Sequence, residues 1–127
     1  MGAFSNEIYQ VADHHARFDH RAYGTAGGQV DCSHLVAEII KQATGINFSY
    51  IVANEYPHSP HFQKVDHPDR GDIVFWHKVP HGHVGVVIDT HSHRFVGAQS
   101  HGVGTDNYNS SYWRSHGSGP MFLRFIG

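Results

Sequence analysis

GGQVDCSHLVAEIIKQATG, residues 27–45, decides the fold: it joins a glycine-rich turn, a capping acid, the chain's single cysteine and an apolar run. Leu35, Val36, Ile39, Ile40 and Ala43 recur at helical spacing. Asp31 is suited to the N-cap, where its carboxylate can accept from a free backbone N–H. Gly45 is suited to the left-handed residue that stops the helix. The apolar stripe is wide, which predicts a helix lying against a sheet. Cys32 precedes that stripe and falls in the first turn, where unpaired N–H groups and the helix dipole favour negative charge. This placement predicts a lowered thiol pKa and donors for an oxyanion. The glycines at 24, 27 and 28 leave room for a substrate backbone.

Working outward, residues 6–18 read as a helix capped by Ser5, with Ile8, Val11, Ala12 and His15 on one face. The stretch 21–30, RAYGTAGGQV, reads as a loop. From 46 to 70 the pattern is weak and is broken by Pro57, Pro60 and Pro68, although SYIVANEY (49–56) suits a short helix. After the Pro-Asp-Arg-Gly turn at 68–71 the chain turns β-rich. Strands are expected at 72–76, 83–89, 94–99 and 121–126, with loops at 79–82 and 90–93. The stretch 100–120, rich in Gly, Ser and Asn, reads as loop with a turn near Tyr112 and Trp113. Helices first and an antiparallel sheet afterwards make an α+β class. With 127 residues, no repeat and no linker, residues 1–127 are expected to form a single domain.

At 39% hydrophobic and 16% charged the chain can fill a core, and a formal net charge of −2 with scattered Lys and Arg argues against nucleic acid as a partner. No apolar run is long enough to span a membrane. MGAFSNEIYQ at the N-terminus has neither the basic nor the apolar region of a signal peptide, so the chain is exported by another route, stays inside, or belongs to something larger. One cysteine excludes an internal disulfide. Histidine, at 14, outnumbers the 9 Lys and Arg, so net charge swings positive in mild acid.

A lone cysteine is ordinarily a small buried hydrophobe. Cys32 departs from that pattern because a base is within reach of the same architecture. A thiolate nucleophile needs a partner that takes its proton and returns it to the leaving amine. His83 opens the second strand, and alternation puts His83, Gly85 and Val87 on one face, with Gly85 leaving space beside the imidazole. On the third strand Gly97, Gln99 and His101 share a face, and Gln99 is the candidate to orient the ring.

DCSHLV (31–36), GDIVFW (71–76) and HVGVVI (83–88) together resemble the three signature segments of the NlpC-type cell-wall cysteine peptidases. Members of that family usually read Asp-Cys-Ser-Gly-Leu/Phe-Val, Gly-Asp-Leu-Val-Phe-Phe and His-Val-Gly-Ile. The resemblance spans roughly Tyr23 to Gln99 and holds in order and spacing. It implies a papain-like fold and, with no cofactor, hydrolysis of a peptidoglycan stem peptide, typically between D-glutamate and the diamino acid. By position Cys32 matches the nucleophile and His83 the base. Tyr23 matches an aromatic residue whose hydroxyl stands near the oxyanion, Asp31 and Ser33 flank the nucleophile, and Ser33 is implied as a contact for the D-glutamate carboxylate. Two departures stand out. His34 replaces the usual glycine, and the family's third residue, often a histidine, aligns with Gly97. Gln99, two residues on, is the substitute, with His101 as the alternative.

Other functions remain open at this point. An amidase cutting between muramic acid and L-alanine uses the same fold and chemistry. An acyl transferase would need an apolar acyl tunnel, of which the sequence gives no sign. A non-catalytic, histidine-rich metal-binding module would use the His81/His83 and His91/His93 pairs, but no cysteine cluster or helical His-Glu-x-x-His supports a metal centre, and none is expected. Action in the bacterial periplasm or cell wall, as a secreted or delivered antibacterial toxin with an immunity protein as partner, fits the size and the missing signal peptide. A phage tail component that breaches the wall fits them equally.

Overall fold

The computed structural model describes residues 2–127. Helix α1 (Ser5–Phe18) is followed by two short strands, β1 (Ala22–Tyr23) and β2 (Gln29–Val30), which pair in parallel within the glycine-rich stretch. Helix α2 (Cys32–Thr44) comes next, then a 3-10 turn (Ala53–His58) and the strands β3 (Phe62–Val65), β4 (Ile73–Trp76), β5 (His83–Asp89), β6 (Arg94–Gln99) and β7 (Gly102–Asn107). A short helix α3 (Ser111–Arg114) and strand β8 (Met121–Phe125) complete the chain. The main sheet is antiparallel throughout, in the order β3-β8-β4-β5-β6-β7.

Alternation along the strands sorts the core into two layers. Ile73, Phe75, Val84, Val86, Val96, Ala98 and Leu123 face the helices and pack with Ile8 and Ala12 of α1 and with Leu35, Val36, Ile39 and Ile40 of α2. Val74, Trp76, Val87 and Phe95 face the other way, where Tyr108 and Trp113 cover them. The α+β expectation therefore holds, with α2 on the sheet as its wide apolar stripe requires. Asp31 caps α2 by accepting from His34 N–H at 2.9 Å, and Gly45 ends it at φ 71°.

Besides the 21–30 stretch, expected as loop but holding the paired strands β1 and β2, four local expectations fail. Ser5 is not the cap of α1: Phe4 holds that position, and the Ser5 hydroxyl accepts from Gly2 N–H at 3.0 Å inside the first turn. The 49–56 stretch is not helical as a whole; only Ala53–His58 turns, and as a 3-10 turn containing Pro57. Phe62–Val65 is a strand, paired along its length with β8. Gly102–Asn107 is also a strand rather than loop, paired residue for residue with β6 from Gln99↔Gly102 to Arg94↔Asn107. Its composition is poor for β structure, but the open edge of β6 supplies the hydrogen bonds, and such context overrides propensity.

Two further features hold the layers in register. Gly71 adopts φ 90°, and a Cβ there would sit 2.0 Å from Ser5 O, so only glycine lets the start of α1 back onto this turn. Beside it, fully buried Asp72 accepts from Arg124 Nε at 2.9 Å and Nη2 at 2.8 Å, tying the start of β4 to β8.

Candidate active site

Cys32 sits at the first residue of α2, packed into the helix-side core and 7% exposed. Burial pushes its thiol up to about 11. The backbone N–H of Val84 opposes that rise by donating toward Sγ, the Asp31 carboxylate adds to it, and the Ser33 and Cys32 N–H groups oppose it further. The expected lowering of the pKa is thus reversed. The helix N-terminus does present its donors to sulfur, but removal from water outweighs them.

Val84 is the residue after His83, so it is the backbone beside the base candidate, and not its imidazole, that meets the sulfur of the nucleophile candidate. The two line adjoining cavities: Cys32 belongs to one with Tyr23, Asp31, Ser33, Tyr50 and Asn54, and His83 to the other with Gln99, Tyr112, Trp113 and His116. Tyr23, His81 and Gly82 line both. The imidazole lies on the sheet face away from α2, stacked on Trp113 with ring centroids 4.9 Å apart and also near Trp76 and Phe95. Burial pushes it down to about 4, and neighbouring His116 adds to that, whereas the Gln99 carboxamide and the Asp106 carboxylate favour the charged ring. In the free protein the pair is therefore neutral thiol and neutral imidazole.

Gln99 is buried and reaches His83; its Nε2 donates to Gly104 O at 3.4 Å. Its path explains the departure at Gly97. A Cβ built at 97 would lie 2.3 Å from Gln99 Oε1, so the carboxamide oxygen occupies the space into which a side chain at 97 would project. His101 stays exposed in the turn between β6 and β7, near Gly104. Of the two candidates for the third position, the fold brings Gln99 to the imidazole and leaves His101 at the surface.

Around the helix start, Asp31 Oδ1 accepts from His34 N–H, from the His34 ring at 2.7 Å and from Ser33 Oγ at 3.3 Å. Ser33 is buried, and its hydroxyl also lies 3.3 Å from Tyr50 Oη. The His34 ring stacks on Tyr50 at 3.8 Å, so the residue that replaces the family glycine forms an aromatic wall with a partner the sequence did not single out. Tyr23 is half-exposed beside Cys32, and its hydroxyl is pushed up by burial and then by Cys32, Asp31 and Tyr50.

Asn54 is a further residue that sequence reasoning missed. Its Nδ2 donates to Lys78 O at 3.2 Å, while its buried Oδ1 has no partner. A Cβ at Gly82 would meet that oxygen at 2.1 Å, so the carboxamide is pressed against the loop that leads into His83. Nothing in the Pro-broken stretch around it signals this.

Among the described residues, the grouping with ligand spacing for a cation is His15, Asp19 and Glu38, whose candidate atoms lie within 4.8 Å of one another. It is far from a free site: His15 pairs with Asp19 and Gln42 at 2.7 Å each, and Arg21 bridges Asp19 and Glu38. Neither of the two His-x-His pairs joins that grouping.

A family model described as NlpC/P60 matches residues 19–121. A Staphylococcus aureus protein described as similar to lipoprotein, NLP/P60 family, superposes with a TM-score of 0.73 at 21% identity, covering 100% of this chain and 44% of that one. The chain thus spans less than half the length of that protein. The NlpC/p60 domain of the peptidoglycan hydrolase SagA superposes with a TM-score of 0.59 at 18% identity, covering 98% of this chain and 97% of that domain. At such identities the likeness speaks for the fold, which is papain-like as the signature segments imply. No curated protein sequence matches the chain. With the family model covering residues 19–121, most of the chain, the protein belongs to the NlpC/P60 family.

Proposed function

We propose that the protein is a peptidoglycan hydrolase, a single-domain cysteine endopeptidase that cuts an amide bond of the stem peptide, between D-glutamate and the diamino acid. One observation carries this reading. Among the described residues, the buried side-chain N and O atoms without a hydrogen-bond partner are Asn54 Oδ1, His83 Nε2 and Gln99 Oε1. All three belong to the adjoining cavities that hold Cys32 and His83. Buried polar groups are ordinarily satisfied, so an orphan needs a reason. The Gln99 carboxamide acts on the His83 ring, so its oxygen serves the imidazole; Asn54 Oδ1 and His83 Nε2, beside a buried thiol, are the groups left to meet a substrate. Family membership and the likeness to a domain of a peptidoglycan hydrolase support the choice of substrate.

In this mechanism the Cys32 sulfur attacks the scissile carbonyl as its proton passes to His83. The new oxyanion takes hydrogen bonds from N–H groups at the start of α2 and from the Tyr23 hydroxyl. His83 then gives the proton to the departing amine, and the C–N bond breaks to leave a thioester on Cys32. Water, deprotonated by His83, hydrolyses the thioester and restores the thiol. Gln99 keeps the ring in place throughout, and Ser33 receives the D-glutamate carboxylate. The natural setting for this substrate is the periplasm or cell wall, which a delivered toxin with a cognate immunity protein would reach.

The deciding experiment is digestion of purified peptidoglycan by wild type and Cys32→Ala, with products identified by mass spectrometry. Stem fragments cut after D-glutamate, released by wild type alone, are expected. Whole stems bearing a free L-alanine amine would point to an amidase instead, and equal release by Cys32→Ala would refute the nucleophile.

A further inference from the structure

Trp113 lies in a segment whose composition reads as loop, yet it is 6% exposed, and hydrogen bonds at its indole, carbonyl and N–H fix it. Its indole Nε1 donates to Asp106 Oδ2 at 2.8 Å. Its carbonyl accepts from Trp76 Nε1 at 2.8 Å, and its N–H donates to the capping hydroxyl of Ser110 at 3.3 Å. Helix α3 is only Ser111–Arg114, and Trp113 is its one buried residue. The short helix thus delivers a single aromatic face, and that face meets the imidazole of His83 at 4.9 Å and 21° between planes. Trp76 approaches the same ring at 5.6 Å and Phe95 edge-on at 6.3 Å.

Simple core filling would explain a buried tryptophan, and a buried indole N–H ordinarily finds an acceptor. It does not explain why the ring lies nearly parallel to an imidazole whose Nε2 has no partner. A stacked ring restricts tilt of the imidazole plane.

We propose that Trp113, anchored by Asp106, is a positioning residue for His83: it fixes the plane of the imidazole so that proton transfer with Cys32 occurs in one geometry. This rests on the reading of Cys32 and His83 as a catalytic pair. On this proposal the Trp113 indole, stacked on the ring, holds the imidazole together with the Gln99 carboxamide that also acts on it.

The test compares Trp113→Ala, Trp113→Phe and Asp106→Ala with wild type. Hydrolysis of a purified stem peptide gives kcat and KM, NMR titration gives the His83 midpoint, and thermal melting reports folding. For Trp113→Ala we expect kcat to fall by about ten- to a hundredfold with KM within about threefold, the scale of a misplaced catalytic group. The His83 midpoint should move up from about 4 toward 6.5, because losing the ring hydrates the imidazole. Trp113→Phe, which keeps an aromatic face, should recover kcat to within about fivefold. A folded Trp113→Ala with unchanged kcat and midpoint overturns the proposal, as does a Trp113→Phe no better than Trp113→Ala. If Trp113→Ala does not fold, Asp106→Ala and Asp106→Asn decide, since the carboxylate also acts on His83 by charge: a kcat lowered by Asp106→Ala but kept by Asp106→Asn, which retains an acceptor for the indole, supports the anchor, and a wild-type kcat in Asp106→Ala or an equal loss in both overturns it. Should wild type hydrolyse nothing, the enzyme reading fails by itself, and the His83 titration still tests whether Trp113 holds the ring.

Discussion

The buried thiol makes a quantitative prediction about reactivity in the free protein. Alkylation proceeds through the thiolate, so its rate follows the ionised fraction. Cys32 is raised from an ordinary 9.0 to about 11. At pH 8 an ordinary thiol is ionised to about one part in ten and Cys32 to about one in a thousand, a difference of about a hundredfold. A more basic thiolate is also more nucleophilic, which offsets part of this, so iodoacetamide should label Cys32 about ten- to a hundredfold more slowly than a free cysteine at pH 8, before any steric hindrance. The rate should climb about tenfold per pH unit without a plateau until near pH 11. Because the imidazole is uncharged down to about pH 4, it lends the thiol no positive partner, and His83→Ala should leave the alkylation profile nearly unchanged. A papain-style resting ion pair would behave in the opposite way, with a plateau from mild acid through neutrality that vanishes when the histidine is removed. The assay is labelling followed by intact-mass spectrometry across pH 5–11. A plateau at or below pH 7 refutes the reasoning, because it would mean that the helix N-terminus and a protonated His83 together outweigh burial.

Three further perturbations test other links. Gly97→Ala drives a methyl group into Gln99 Oε1; the flexible carboxamide can swing away, so melting should change by less than about 1 kcal/mol while kcat falls by about tenfold or more, and an unchanged kcat would remove Gln99 from the site. For His83, the folded pKa of about 4 lies below the ordinary 6.5, so the unfolded chain takes up the proton first as pH falls. The stability gained by keeping the ring neutral is complete above pH 6.5 and is lost on the way to pH 4, on the order of 3 kcal/mol; denaturant titrations should show that this acid-side loss shrinks in His83→Gln. Finally, Arg124→Met leaves the carboxylate of Asp72 buried without its guanidinium, which should cost about 3–5 kcal/mol in urea unfolding, and a loss under about 1 kcal/mol would show that the pair does not hold β4 to β8.

Where sequence reasoning succeeded and failed follows from how local each signal is. The cap, stripe and stop of α2 are set by residues within a few positions of one another, and Asp31, Leu35 to Ile40 and Gly45 play those parts as the sequence implies. Strands β5 and β6 carry their own apolar runs and were legible to the residue. Strand β7 was not, because what makes Gly102–Asn107 a strand is the exposed edge of β6, a partner rather than a propensity. The pKa of Cys32 departs from the expectation for a related reason. The helix start is visible in sequence, but the sheet and loops that strip water from the sulfur are not.

The third position shows the same limit at its sharpest. Aligned column by column, Gly97 is a gap in the catalytic set. In space the gap is filled, because the missing side chain at 97 is what admits Gln99 Oε1 beside the imidazole. Glycine and glutamine are therefore one device: either residue alone would be a loss, and together they return a polar atom to the ring from two residues further along the same face. A residue-by-residue comparison reads the first half as a defect and cannot weigh the second. It follows that restoring a histidine at 97 should not simply rebuild the site, since its Cβ and Gln99 Oε1 compete for the same volume; Gly97→His would need Gln99 shortened as well before the new ring could reach His83.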